Sequence, residues 1–440
     1  MKKKIYLLLL FTTFSMFSQQ YIALDTADYA QRKLLVEKID YNFKNFEKQL
    51  RKKYKGKIRK EIQKSYLGLH DDFKKIVKKK ELIFESKFSQ YIDSLTHIIS
   101  KNNSHLITND IKVFVTKHNS PNALSLGNGY ILINMGLFKY LKNEGQIVSV
   151  MSHEIAHQLL RHSEKNIISR ATSETSKSKQ IKIKKLKKNK YNKQSTAFKE
   201  LKKILYSNSK TNRQQEKEAD SLGFILYNNT NYQPKDFINT LKIISKLDSL
   251  PNIVLDSTTY YTFFNLPNQP FNKNWLKIEN FNAYNYDHFK NKINKDSLKS
   301  HPEMLQRISH LEKIFEKELS SQKESLDKTS FNSYKKIANY EDVANLFYDQ
   351  KYGLSIYLSL YKLSISPNNN YYKEWLGTNF HAIYNAKKKY RFNRYVDRLI
   401  PKEQDKSYQQ FLSFLWNLKL QEIEKIANHY KPKDIKKGEE

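Results

Sequence analysis

Between Glu144 and His162 the chain carries Ile147, Val148, Val150, Met151, Ile155, Ala156, Leu159 and Leu160, spaced for a helix and spread round most of its circumference. A helix that is apolar on nearly every side is stable only inside a core. The rest of this 440-residue sequence is polar and basic, with 78 Lys and Arg against 44 Asp and Glu and a formal net charge of +34. The fold must therefore be organised around that one segment. Hydrophobic residues at 39% and aromatics at 13% supply enough apolar surface for real cores, which excludes wholesale disorder. The length allows two or three domains of roughly 150 residues. The chain has no cysteine, which excludes disulfide scaffolds, Cys-ligated zinc, iron–sulfur clusters and Cys nucleophiles. Any metal has to be held by histidine and carboxylate.

The buried helix contains such groups. His153-Glu154-Ile155-Ala156-His157 is an H-E-x-x-H element. Residues four apart share a helix face, so both imidazoles can reach one metal, with Glu154 placed to take a proton from an attacking water. A catalytic zinc site uses three protein ligands. A second carboxylate-bearing helix can complete it: in Glu216-Lys217-Glu218-Ala219-Asp220, Glu216 and Asp220 share a face, one able to bind metal and the other to receive the second N–H of a ligand histidine. Glu218 points away from that face and is expected in solvent. His162, nine residues past His153, is expected about half a turn round the helix and is not counted as a ligand.

Elsewhere the pattern is mainly helical. Residues 20–110 read as two or three amphipathic helices, with apolar positions such as Leu34, Leu35, Ile39, Phe43, Phe73, Ile76, Leu82, Phe84, Phe88, Ile92 and Leu95 at helical spacing. Strand-like runs follow at Ile111 to Val115 and Asn128 to Asn134. The second is expected as an edge strand along a substrate cleft, with Gly127 and Gly129 allowing close approach of another backbone. Arg161 to Asn212, with 12 Lys from Lys177 to Lys203, is expected as a loop or exposed helix, followed by a helix from about Gln214. Pro251 to Lys299 reads as a long surface excursion and potential lid. From Tyr334 the pattern suggests paired antiparallel helices resembling a tetratricopeptide repeat.

Four blocks, in order, carry a resemblance. They are Asn122-Ala123 with Gly127-Asn128-Gly129-Tyr130-Ile131, Ser152 to His157 with Arg161-His162, Glu216 to Asp220 with Gly223, and Ser300-His301-Pro302 with Arg307-Ile308. Across residues 122–308 the chain resembles the zinc metallopeptidases that include the CAAX prenyl protease, the membrane protease HtpX and the periplasmic proteases that police outer-membrane protein assembly. The resemblance implies a mainly α (α+β) fold, with a helical gluzincin-like peptidase domain, a small sheet edge and a helical tail. It implies one Zn²⁺ per chain held by His153, His157 and Glu216, with Glu154 as general base, Asp220 behind the ligands, and His301 and Arg307 assisting catalysis. Asn122, Gly127, Asn128, Gly129 and Tyr130 form the expected substrate-binding edge. The expected division is a signal peptide at 1–19, N-terminal helices of the peptidase domain at 20–110, the metallopeptidase core at 111–319 and the tail at 334–440.

Lys2 to Lys4, the apolar run Ile5 to Phe17 and Ser18-Gln19-Gln20 read as an export signal, which places the mature protein in the periplasm, soluble or peripheral to a membrane. The expected activity is endopeptidase cleavage of unfolded or misassembled envelope proteins, the alternative being a chaperone-like adaptor whose proteolysis is latent or incidental. Expected partners are polypeptide substrates, envelope proteins bound through the tail, and an anionic membrane surface met by Lys177 to Lys203. Nucleic acid is not expected, because the charge is spread along the whole chain.

Overall fold

A computed structural model describes residues 21–84, 86–108, 110–177, 193–247, 253–278, 304–323, 329–400 and 404–431, without the side chains of 193–210 and 329. The expected signal at 1–19, His301 and most of the lysine-rich stretch lie outside the described residues.

Two amphipathic helices, α1 (Tyr29–Lys53) and α2 (Gly56–Lys78), form an antiparallel pair. They lead through a short strand, β1 (Leu82–Ile83), into α3 (Lys87–Asn102), which begins where the Ser86 side chain accepts the Ser89 N–H. Leu82, expected on a helix face, is thus in a strand. Strands β2 (Lys112–Thr116), β3 (Ala123–Gly127) and β4 (Tyr130–Asn134) complete a sheet in the order β1-β2-β4-β3. Only the β2–β4 pair is parallel. Alternate residues face opposite sides of a strand. Accordingly Val113, Val115, Ile131 and Ile133 enter the main core, while Phe114, Tyr130 and Leu132 pack with Leu35, Ile39, Phe73 and Val77 of the α1–α2 pair.

This overturns one expectation. The strand at 128–134 is not the edge: β4 is paired on both sides, and the edge is β3, whose short Ala-Leu-Ser-Leu-Gly sequence has too little β-branched character to be read as a strand. Gly127, Asn128 and Gly129 all have positive φ, 85°, 53° and 82°, because they make the tight turn from β3 to β4. The close approach at Gly129 is to the chain's own Asp110 carbonyl, which an added Cβ would meet at 2.5 Å.

After α4 (Gly136–Tyr140) comes the central helix α5 (Glu144–Leu159), started by Asn143, whose side chain accepts the Gln146 N–H. Every residue from Gly145 to Ser152 is buried, as the apolar circumference requires. Helix α6 (His162–Thr175) precedes α7 (Lys193–Asn228), which begins well before the expected start at Gln214 and packs along α5. Helix α8 (Pro234–Ile244) follows, with proline in its first turn. Phe224, Leu226, Tyr227, Phe237 and Leu311 close the core around Ile147, Met151 and Ile155.

The described part of the expected surface excursion is exposed along much of its length but is anchored in a core. Helix α9 (Ser257–Phe264) and a 3₁₀ turn at Lys273–Leu276 bury Tyr260, Phe264 and Trp275 in a second apolar cluster. The chain then returns through α10 (Met304–Ile314) and α11 (Glu316–Ser320) to the first core. The second cluster is otherwise built by α12 (Thr329–Tyr348), α13 (Tyr352–Ile365), α14 (Asn370–Lys388), α15 (Lys406–Asn417) and α16 (Leu420–His429). Aromatic side chains let a short segment without clear periodicity bury a large apolar area through a few residues. Helix α12 serves both cores, with Phe331 and Ala338 in the first and Val343 in the second. Between them, buried Asp342 lies 3.4 Å from Lys139 and 3.6 Å from Lys362. Among the described residues, no helix is long and apolar enough to cross a membrane.

Candidate metal centre

Helices α5 and α7 lie against each other at Gly223, where an added Cβ would stand 2.9 Å from the His153 Cα. This contact brings the two carboxylates of α7 to the two histidines of α5. Gly223→Ala is expected to force the helices apart, at a cost of about 1–3 kcal/mol, and to weaken metal binding as the ligands separate. Chelator competition would check it, and an affinity equal to that of the wild type would refute it.

Among the described residues, one group of His and carboxylate side chains can hold a metal ion: His153, His157 and Glu216, whose ligand atoms lie within 4.8 Å of one another. The two Nε2 atoms are 3.1 Å apart, and each is 3.6 Å from a Glu216 carboxylate oxygen. The other nitrogens are engaged elsewhere. His153 Nδ1 is 3.0 Å from Asp220 Oδ1, and His157 Nδ1 is 2.8 Å from His162 Nδ1. In the tautomers with the protons at Nδ1, two Nε2 lone pairs and a carboxylate converge on one point. Three acceptors facing one point repel unless a cation lies among them, and a set of two imidazoles and one carboxylate suits zinc.

Electrostatics set the two histidines apart. Burial, reinforced by the neighbouring His153, pushes the His157 pKa down to about 3, which keeps it in the neutral ligand form. Burial also opposes charge on His153, but the hydrogen bond and charge of Asp220 outweigh it and raise its pKa. Burial raises the Glu154 pKa above the ordinary carboxyl value, only partly offset by His153 and by the backbone N–H of Ser125 on the β3 edge.

Arg307, 3% exposed, projects from α10 behind the ligands. Its Nε donates to Asp220 Oδ2 at 2.6 Å, its Nη2 to Asp220 Oδ1, and its Nη1 lies 2.9 Å from Glu216 Oε2. Burial penalises the charged guanidinium and the Asp220 carboxylate, but their mutual bonds outweigh it, raising the Arg307 pKa and lowering that of Asp220. Arg307 therefore grips the carboxylates rather than facing the cleft.

A cleft of about 750 Å³ opens beside His157, lined by Tyr66, Leu126, Gly127, Asn128, Gly129 and Gln158 among others. Gln158 ties α5 to the sheet by donating to the Tyr130 carbonyl at 3.1 Å. The Tyr130 ring is buried against Phe73 and Phe114, away from the cleft. Asn122 is exposed just before β3, and its carbonyl accepts the Asn134 N–H at 2.9 Å.

Two neighbours of the site run against expectation. Helix α5 ends at Leu159 and Arg161 takes a left-handed conformation, φ 54° and ψ 39°, so His162 opens a new helix whose direction folds its ring back onto His157. Glu218 is not simply in solvent: its Oε2 lies 3.2 Å from His162 Nε2. Helical spacing through Arg161-His162 predicts one continuous helix, and the left-handed Arg161 breaks it.

The sequence model for Peptidase family M48 matches residues 87–315. Over 98 residues the chain is 33% identical to the "Beta-barrel assembly-enhancing protease" of Escherichia coli (strain K12), a stretch covering 22% of this chain and 19% of that protein. Over 96 residues it is 28% identical to the protein of the same name from Yersinia pestis, covering 22% and 18%. The chain thus matches less than a fifth of the length of these relatives. With the family's model extending over more than half of the chain and the His153, His157 and Glu216 cluster lying inside the matched span, this protein belongs to peptidase family M48.

Proposed function

We propose that the protein is an exported, zinc-dependent endopeptidase acting on unfolded or misassembled envelope proteins. The observation that carries this reading is the convergence of His153 Nε2, His157 Nε2 and a Glu216 oxygen within 4.8 Å of one another, one residue along the helix from Glu154. His153, His157 and Glu216 would hold the zinc, which when bound lowers the pKa of a water and polarises a carbonyl. Glu154, whose raised pKa suits a proton acceptor working near neutrality, takes the proton of the attacking water and returns it to the leaving amine. Asp220 and Arg307 hold the ligands in place. His301 is assigned as donor to the negative charge developing on the scissile carbonyl oxygen.

The unpaired side of β3, next to Glu154, suits an extended polypeptide bound by backbone hydrogen bonds, a mode tolerant of sequence. The relatives' printed names describe proteases that enhance β-barrel assembly, and we extend that class of client to this chain. The TPR-like helical tail would recruit envelope partners, and Lys177 to Lys203 would meet anionic lipid. Elemental analysis of the mature protein beside Glu216→Ala, together with casein cleavage, tests the reading. A zinc-bearing, casein-cleaving wild type and a zinc-free, inactive variant are expected. A wild type that binds no zinc would refute it.

A further inference from the structure

The two histidines of the cluster are held differently. His153 faces a carboxylate directly, whereas His157 faces a second imidazole. The left-handed turn at Arg161 puts the His162 ring 4.9 Å from that of His157, centroid to centroid, with the two Nδ1 atoms 2.8 Å apart. On the far side, His162 Nε2 lies 3.2 Å from Glu218 Oε2, and Glu218 Oε1 accepts from Gln214 Nε2 at 2.9 Å.

A neutral imidazole has one donor and one acceptor nitrogen, and an ionised carboxylate only accepts. Glu218 therefore takes the Nε2–H of His162, which leaves His162 Nδ1 as an acceptor. His157 then donates from Nδ1 and keeps its lone pair at Nε2, on the side of His153 and Glu216. The packing supports this order: the His162 side chain is 3% exposed and has no freedom to turn, while Glu218 is 40% exposed and reaches a cavity of about 440 Å³ lined in part by Lys165, Asn166 and Gln214.

We propose that His162 and Glu218 are positioning residues that set the tautomer and ring orientation of His157, and through them the metal affinity of the site. The inference rests on the metallopeptidase reading. Partners of this kind behind a ligand histidine change metal affinity by about 10- to 100-fold when removed.

The test is zinc affinity by competition with a chelating dye, together with the visible spectrum of the Co²⁺-substituted protein, on the full mature chain. Glu218→Ala, at a half-exposed position where folding is not at risk, is expected to weaken zinc by about tenfold, and His162→Phe by about 10- to 100-fold. The double variant should bind no more weakly than His162→Phe alone, since Glu218 acts through His162. His162→Gln, whose amide oxygen can accept from His157, should recover most of the loss, and the Co²⁺ bands should shift in His162→Phe but not in His162→Gln. Zinc affinities of both single variants within twofold of wild type, or a double variant losing the product of the two single effects, would overturn the proposal. A wild type that binds zinc beside unaffected variants removes this inference alone, whereas a wild type that binds none removes the metallopeptidase reading and this one with it.

Discussion

Glu154→Gln is expected to keep its metal and to lower kcat on casein by about 10²- to 10⁴-fold, the range lost when a positioned acid–base group is removed. The substitution preserves shape and leaves His153, His157 and Glu216 untouched, so zinc content should equal that of the wild type. On the proposed reading, it removes the proton acceptor. An amide has no basic site near neutrality, and the position next to Ser125 on the β3 edge is retained. Elemental analysis and casein turnover on the same preparation separate the two roles. Activity within tenfold of wild type would show that another group takes the proton, and loss of zinc would move Glu154 into the set of groups that build the site.

Arg307→Met should produce the largest loss of stability. Arg307 is buried and bonds two carboxylates, Asp220 through both Nε and Nη2 and Glu216 through Nη1. Methionine fills much of the same volume but leaves buried Asp220 and partly buried Glu216 without their cation. Breaking a buried ion pair from one side costs about 3–5 kcal/mol, because the remaining charge has lost its water and its partner. The loss should be greatest in chelator and smaller in excess zinc, since a bound cation would neutralise Glu216 and bind only the folded state. Urea titrations under the two conditions check this. A cost below about 1 kcal/mol in chelator would mean that solvent reaches the carboxylates and that Arg307 does not organise the site.

Where chemistry follows from spacing along one helix, the residues could be read directly. The i,i+4 relation of His153 to His157, and of Glu216 to Asp220, depends only on helical geometry. The burial of α5 depends only on its apolar circumference. Those two facts, with the absence of cysteine, determined the ligand chemistry and the central element. What lay beyond depended on where the chain changes direction. Local preference could not show that β3, poor in β-branched residues, would become the sheet edge while the strongly patterned β4 went inside, because that is decided by which strand pairs with β2. Nor could it show that the Asn- and aromatic-rich stretch 253–278 would enter the same apolar cluster as the tail helices, since burying Tyr260, Phe264 and Trp275 is a contact between segments far apart in the chain. The same limit hid His162 and Glu218. A single left-handed residue, Arg161, ends one helix and starts another, and only the packing of α6 and α7 beside α5 turns a histidine read as lying on the wrong face into the hydrogen-bond partner of His157.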